Sequence, residues 1–230
     1  MFFITGDKHG EFTGIKQFCQ KAETTPEDVL IILGDAGINY FLDERDELIK
    51  NYINILPITL FCIHGNHEAR PETIRGYEEV EMFGGRVYRD EIYPNQIFAK
   101  DGEIYEFNKK KVLVIGGAYS PDKNLRLLTG AHWFPDEQPS EESKERAKVN
   151  LEKHNWKVDF ILSHTCPYRY RPLEWFVGWV NQNTVDNTTE LFLDDIEART
   201  SYERWFCGHF HGEKRIDKMQ FLFNSFLTLC

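Results

Sequence analysis

Short, wholly apolar runs alternate with longer stretches whose apolar positions recur every three or four residues, and this alternation predicts the first elements. Phe2 to Ile4 is one such run; Phe12, Ile15, Phe18, Cys19 and Ala22 then follow at helical spacing. Val29 to Leu33 is uninterrupted, as expected of a strand covered on both faces of a parallel sheet. Asp43 is placed to cap a second helix, with Leu48, Ile49, Tyr52, Ile55 and Leu56 as its buried stripe and Pro57 as its stop. Ile58 to Ile63 supplies a third strand. The opening segment therefore reads strand, helix, strand, helix, strand, and each strand delivers a polar cluster at its carboxyl end, where open α/β sheets place ligands.

From Tyr77 to Gly117 the pattern changes to short β segments separated by turn signals. Gly84-Gly85 is one turn, and Asp101-Gly102 separates Ile97-Phe98-Ala99 from Ile104-Tyr105-Glu106-Phe107. Lys109-Lys110-Lys111 reads as a solvated hairpin turn before Val112 to Ile115. The whole predicts an antiparallel meander feeding a second sheet. Residues 118 to 139 are irregular and rich in aromatics, Pro and charge, suited to an active-site rim or to packing over the core. Ser140 caps a helix with an acidic first turn running to about His154, and Phe160 to Ser163 is another buried strand. Asn187 with Glu190 predicts a capping box opening a helix through Arg199. Trp205-Phe206-Cys207 and Met219 to Phe223 are the last strands expected.

Composition narrows the class. With 230 residues, 41% hydrophobic and 28% charged, the chain is expected to fold as a single domain, residues 1–230. No apolar run approaches the roughly 20 residues of a membrane-spanning helix, and the start lacks a basic, cleavable leader, so a soluble, cytoplasmic protein is expected. Cys19, Cys62, Cys166, Cys207 and Cys230 form no CxxC pair and read as free thiols, not metal ligands. A formal net charge of -10 argues against tracking duplex nucleic acid.

The candidate chemistry starts at Gly6-Asp7-Lys8-His9-Gly10. An extended Asp7-x-His9 would send a carboxylate and an imidazole to one side of the backbone, a pair that suits manganese, iron or zinc. Alone, it reads more readily as an Asp in a turn beside a solvated His. The pattern recurs, however, at Gly34-Asp35, Gly65-Asn66-His67-Glu68, His164 and Gly208-His209-x-His211, each after a strand.

This set of five blocks resembles the metallophosphoesterase, or calcineurin-like phosphoesterase, superfamily, in the family's order and across residues 2 to 212. The resemblance implies a four-layer α-β-β-α sandwich of two mixed β-sheets with two divalent metal ions at the strand ends. It implies that Asp7, His9, Asp35 and His211 hold one metal, and that Asp35, Asn66, His164 and His209 hold the other, with Asp35 bridging. It further implies in-line attack of a hydroxide shared by the metals on a phosphate mono- or diester, with His67 donating a proton to the leaving group. The likeness is strongest to small bacterial or phage-type members. The second block runs Gly34-Asp35-Ala36-Gly37-Ile38-Asn39, and His64 precedes Gly65, so the two phosphate-binding arginines of the protein phosphatase branch are absent.

Other polar residues have plainer readings. His64 is expected to be packed or to support a ligand, Glu68 to orient an imidazole or cap a helix, and His132 and His154 to lie outside the site. Lys8 and Phe210, central in their triplets, are expected to turn away from the metals. Asn66 and Arg169 are candidate substrate-binding residues, with Arg70 and Arg171 also near ligand blocks. The expected partner is a small phosphorylated substrate, with a nucleotide among the candidates. Two readings stand beside this one: a non-catalytic scaffold of the same fold, and a metal-dependent nuclease.

Overall fold

The computed structural model describes residues 1–229; Cys230, read above as a free thiol, lies outside them. Along the chain run β1 (Phe2–Thr5), α1 (Thr13–Ala22), β2 (Val29–Ile32), α2 (Glu44–Asn54), β3 (Thr59–Cys62), β4 (Tyr77–Met82), β5 (Gly85–Asp90), β6 (Gln96–Ala99), β7 (Ile104–Phe107) and β8 (Lys110–Ile115). They are followed by α3 (Lys123–Thr129), α4 (Glu141–Lys153), β9 (Phe160–Ser163), α5 (Thr188–Arg199), β10 (Arg204–Cys207), β11 (Lys214–Ile216), β12 (Met219–Phe221) and β13 (Leu227–Thr228). One sheet has the order β13-β1-β2-β3-β6-β5-β4 and the other β11-β12-β10-β9-β8-β7. Both are mixed: β1, β2, β3 and β6 are mutually parallel, as are β8, β9, β10 and β12, with antiparallel strands at the edges.

Side-chain alternation builds the layers. Along β2, Val29, Ile31 and Leu33 face the other sheet and join Phe61, Tyr105, Phe107, Val114, Leu162 and Phe206 in the central core. Leu30 and Ile32 face outward, where Ile15 and Cys19 of α1 and Ile53 beside α2's end cover them. On the second sheet Leu113, Ile161 and Trp205 meet Ala147 and Leu151 of α4 and Leu193 and Ile196 of α5. The result is the expected α-β-β-α sandwich, and the uninterrupted apolar strands are explained by burial on both faces. No helix among the described residues is long and apolar enough to cross a membrane.

Four expectations need correction. Along α2 the buried face is Ile49, Ile53 and Leu56, while Leu48 is 70% and Ile55 77% exposed. Residues 48, 52 and 55 have the same helical spacing as 49, 53 and 56, so periodicity could not choose between two stripes one residue apart. Ile53→Ala should therefore cost about 2–5 kcal/mol and Leu48→Ala within about 0.5 kcal/mol; urea unfolding of the two variants checks the assignment. Asp101-Gly102 is not a hairpin, because β6 belongs to the first sheet and β7 to the second, and the chain crosses the core there. The α5 helix is present, but its capping box is not: the Asn187 side chain makes no cap, and Glu190 Oε1 instead accepts from Thr165 Oγ1 at 2.9 Å. The expected final strand Met219 to Phe223 ends at Phe221, and β13 follows, pairing antiparallel with β1.

Other local readings agree with the structure. Asp43 caps α2 by accepting from Arg45 N, and Ser140 caps α4 by accepting from Ser143 N. Cys19, Cys62, Cys166 and Cys207 are free and buried.

Candidate metal centre

The parallel strands β1, β2, β3, β9 and β10 deliver Asp7, His9, Asp35, Asn66, His164, His209 and His211 to one edge of the sandwich, just beyond their last residues. The mechanism is not the strand alternation expected of Asp7-x-His9. The first strand stops at Thr5, and His9 adopts a left-handed backbone with φ of 48°, as do Asp35 (48°), His209 (66°) and His211 (48°). Each such residue costs roughly 1 kcal/mol, and conformations of this kind gather at functional sites. Hydrogen bonds hold them: Lys8 N and His9 N both donate to Asp35 O, at 3.0 and 2.7 Å. Two glycines permit the close approach. A Cβ on Gly34, whose φ is 95°, would lie 2.1 Å from His164 Nδ1, and one on Gly208 would lie 2.1 Å from Asp7 Oδ1.

The donor atoms converge as ligands of common ions do. His211 Nε2 is 3.3 Å from Asp7 Oδ2 and 2.9 Å from His9 Nε2. Asp35 Oδ2 lies 3.9 Å from His9 Nε2 and 3.5 Å from His164 Nε2, between the two groups, the position a shared ligand has to occupy. Asp7 is closer to both groups than the resemblance implied, since it clusters with His9 and His211 and also with Asp35 and His164. His209 is held by its backbone, whose N–H donates to Asp7 Oδ1 at 2.9 Å, and its ring centroid lies 4.9 Å from that of His164.

Protonation shows why cations fit here. His164 Nδ1 lies 2.7 Å from Leu33 O, so it carries the hydrogen, and in the neutral ring Nε2 offers a lone pair. That lone pair faces Asn66 Oδ1 at 2.8 Å and the Asp35 carboxylate. The Asn66 oxygen is oriented by its own amide nitrogen, which donates to Ser120 Oγ at 2.8 Å. Acceptors thus point at acceptors, and either a proton or a metal must resolve them. Burial opposes charge on His164, but Asp35 and Asp7 outweigh it and push the ring up to about 9. Burial also raises Asp35, yet His164 and other imidazoles hold its carboxyl well below the usual range. Donor atoms on one dication at about 2.1 Å stand about 3 Å apart. The carboxylate, imidazole and amide oxygens present therefore suit a pair of borderline divalent ions.

Beside these candidate ligands His67 is half-buried and faces two donors, Asn66 Nδ2 and Arg126 Nη2, each 3.2 Å from its Nε2. Burial, offset in part by Asp35 and reinforced by Arg126, lowers it to about 4. Arg126 is fixed by Asp122 Oδ2 at 2.8 Å. Neither Arg126 nor Ser120 was legible as a site residue, because segment 118–139 shows no recognisable block. The available signals were the segment's irregular, aromatic and charged make-up, which suited an active-site rim, and the apolar strand β8 immediately before it, which ends on the same edge as its neighbours. Among the described residues Glu68 hydrogen-bonds no imidazole and caps no helix. Its carboxylate accepts from Gly65 N at 3.0 Å and Gly37 N at 3.3 Å, tying the loops after β2 and β3 together, and burial with Asp35 nearby pushes it up to about 8.

A cavity of about 300 Å³ opens on this centre, with Asp35, Asn66, His67, His209 and His211 in its lining. Arg171 lines it too, whereas Arg169 is turned to α5 and paired with Asp194 and Glu197 at 3.2 Å each. Substrate contact by Arg169 is therefore not supported. Arg70 is buried against Asp101 at 2.8 Å. His64 is buried with no hydrogen-bond partner on either ring nitrogen among the described residues. His132 rests against Tyr40, and His154 against Asn150 O, both apart from the ligands. Lys8 does turn away, donating to Phe223 O at 2.8 Å, but Phe210 lines the cavity.

The sequence profile of the calcineurin-like phosphoesterases matches residues 1–213. Among solved structures, TT1561 of Thermus thermophilus aligns over 96% of this chain and 87% of its own, at 14% identity and a TM-score of 0.53, a likeness of fold alone. AQ665 from Aquifex aeolicus, titled a protein of unknown function, aligns over 73% of this chain and 80% of its own, at 16% identity and a TM-score of 0.34. No curated protein matches. A profile match spanning nearly the whole chain, over a sandwich whose strand ends gather carboxylates and imidazoles, shows that the chain belongs to the calcineurin-like phosphoesterase family.

Proposed function

We propose that this protein is a dimetal-dependent phosphoesterase acting on a phosphate mono- or diester. The observation that carries the reading is the facing of lone pairs at Asp7, Asp35, Asn66 and His164, which a pair of cations satisfies. Asp7, His9, Asp35 and His211 would hold one ion and Asp35, Asn66, His164 and His209 the other. Manganese, iron or zinc, when bound, would supply the nucleophile and the positive charge that phosphoryl transfer requires. The residues of the chain do the rest. Glu68 and Ser120 fix the loops that carry the ligands, and Arg126 holds the His67 ring at the cavity wall.

At neutral pH the free protein keeps His67 unprotonated. A bound phosphate dianion would favour its charged form, and the ring could then pass a proton to the departing oxygen. His67→Asn should therefore lower kcat by about 10²-fold or more with metal content unchanged. Loss of metal in parallel would make the residue a structural support of the cage instead.

A second hollow includes Asp7 and His9 in its lining, together with Lys8, Lys21, Phe18 and Phe226. Two separate hollows lined by residues of the centre favour a diester, whose phosphorus carries two organic arms. Turnover of bis-p-nitrophenyl phosphate against p-nitrophenyl phosphate, with manganese, tests both points. Preference for the bis-ester supports the diester reading, and inertness toward both esters with two ions bound would favour a binding scaffold.

A further inference from the structure

Part of the wall of the cavity over the centre is aromatic: Tyr119, Trp175, Phe176, Trp179 and Phe210. Phe210 stands between the proposed ligands His209 and His211, its ring 4.9 Å from that of His209, so the wall begins where the phosphate would sit. Trp175 is clamped in place. Its ring presses on Gly212, where a Cβ would come within 2.6 Å of it, and lies edge-on to Phe221 at 5.7 Å. Phe176 runs parallel to Phe210 at 6.3 Å, and Trp179 at the mouth is 65% exposed. Lys214 Nζ lies over the Trp175 ring at 4.9 Å, and Tyr119, Trp175, Phe176 and Phe210 are only half-buried, so ring surface remains beside the polar centre to bind flat apolar matter.

The cavity also carries polar groups suited to the edge of a flat ring. Arg171 is stacked on Tyr168 at 3.4 Å and held by Asn187 Oδ1 at 2.8 Å, presenting donors. Gln182 contributes an amide. Glu190 is buried, its Oε1 is taken by Thr165, and its Oε2 has no donor among the described residues. A phenyl ester would use the faces and leave these groups idle; glycerol or sugar esters could reach the polar groups with their hydroxyls but bring no flat ring to the faces. A heterocycle bearing both N–H donors and ring acceptors uses all of them.

Resting on the phosphoesterase reading above, we infer that the substrate is a nucleoside phosphoester, its base stacked in the aromatic cavity while the phosphate meets the metal centre. The volume of about 300 Å³ is on the small-molecule scale and excludes a duplex. Base stacking on a protein ring changes binding by roughly five- to hundredfold per ring.

The test compares kcat/KM of the full-length, manganese-loaded protein for nucleoside monophosphates and 2′,3′-cyclic phosphates with that for glycerol phosphate and p-nitrophenyl phosphate. A nucleoside ester should exceed glycerol phosphate by about tenfold or more, and Trp175→Ala should collapse that ratio through KM, with Trp175→Phe restoring much of it. Equal efficiency in the wild type, or a ratio unmoved in both variants, overturns the inference while leaving the phosphoesterase reading intact. Where Trp175→Ala does not fold, quenching of the wild-type tryptophan fluorescence by adenosine and guanosine, without phosphate and without metal, replaces it. Saturable quenching supports base binding even if no ester is hydrolysed, and its absence for both nucleosides overturns it.

Discussion

Asp35→Asn is expected to abolish turnover, by about 10³-fold or more, and to reduce bound metal from two ions per chain toward one or none. The substitution keeps the shape and one oxygen, so the hydrogen bond that Oδ1 accepts from His67 N at 2.8 Å can survive. What it removes is the negative charge between the His9 and His164 rings, 3.9 and 3.5 Å away. Two dications brought close together need an anionic oxygen between them, and an amide does not offset their repulsion. Metal analysis after dialysis, alongside hydrolysis of a chromogenic ester, reads both consequences. Two firmly bound ions in an active Asp35→Asn protein would remove Asp35 from its shared position.

Raising the pH should destabilise the metal-free protein markedly between about pH 7 and pH 9. Two buried groups drive this. His164 stands at about 9 against an ordinary 6.5, so its contribution is complete below 6.5 and lost as pH rises through 9. Glu68 stands at about 8 against 4.5 because burial disfavours its charged form; the fold retains its proton, and stability falls as pH climbs from 4.5 through 8. The two effects have the same sign and together amount to a few kcal/mol. Asp7 and Asp35, both lowered, act oppositely, losing their contribution as pH falls below the ordinary carboxylate range. The lowered imidazoles of His67, at about 4, and His209, at about 3, act in the same sense as these carboxylates, losing their contribution as pH falls below 6.5, so the apo protein should be most stable between about pH 6 and 7. A metal ion held at His164, as proposed, would take over the role of the proton, so the loaded protein should show a shallower decline. Melting temperatures with EDTA and with manganese, measured across this range, check the sign; a melting temperature that rises toward pH 9 without metal would contradict it.

Much of this could be read from the amino-acid sequence, and the limits have physical causes. Buried parallel strands are uninterrupted apolar runs, so β2, β3 and β9 were visible, and the polar blocks after them marked the edge where the ligands gather. Facing residues of a helix one position apart are harder: Leu48 and Ile49 are equally apolar, and only the neighbouring sheet decides which is buried. The Asp101-Gly102 turn has the composition of a hairpin, but whether two strands pair or part is set by the second sheet. At the site, the expected convergence of Asp7 and His9 is present through a left-handed turn that a strand-based argument could not foresee. Arg126 and Ser120 were hidden because their contacts with His67 and Asn66 span 59 and 54 residues and leave no local pattern.

The arrangement of Asn66, His164 and Asp35 carries a practical corollary. Groups that compete for one positive charge bind avidly whichever suitable ion reaches them first, and first-row metals differ more in supply than in their fit to such donors. Batches of this protein grown in different media should consequently carry different metals and different specific activities with an identical polypeptide. Stripping and reloading with one chosen ion is the condition under which any two preparations can be compared.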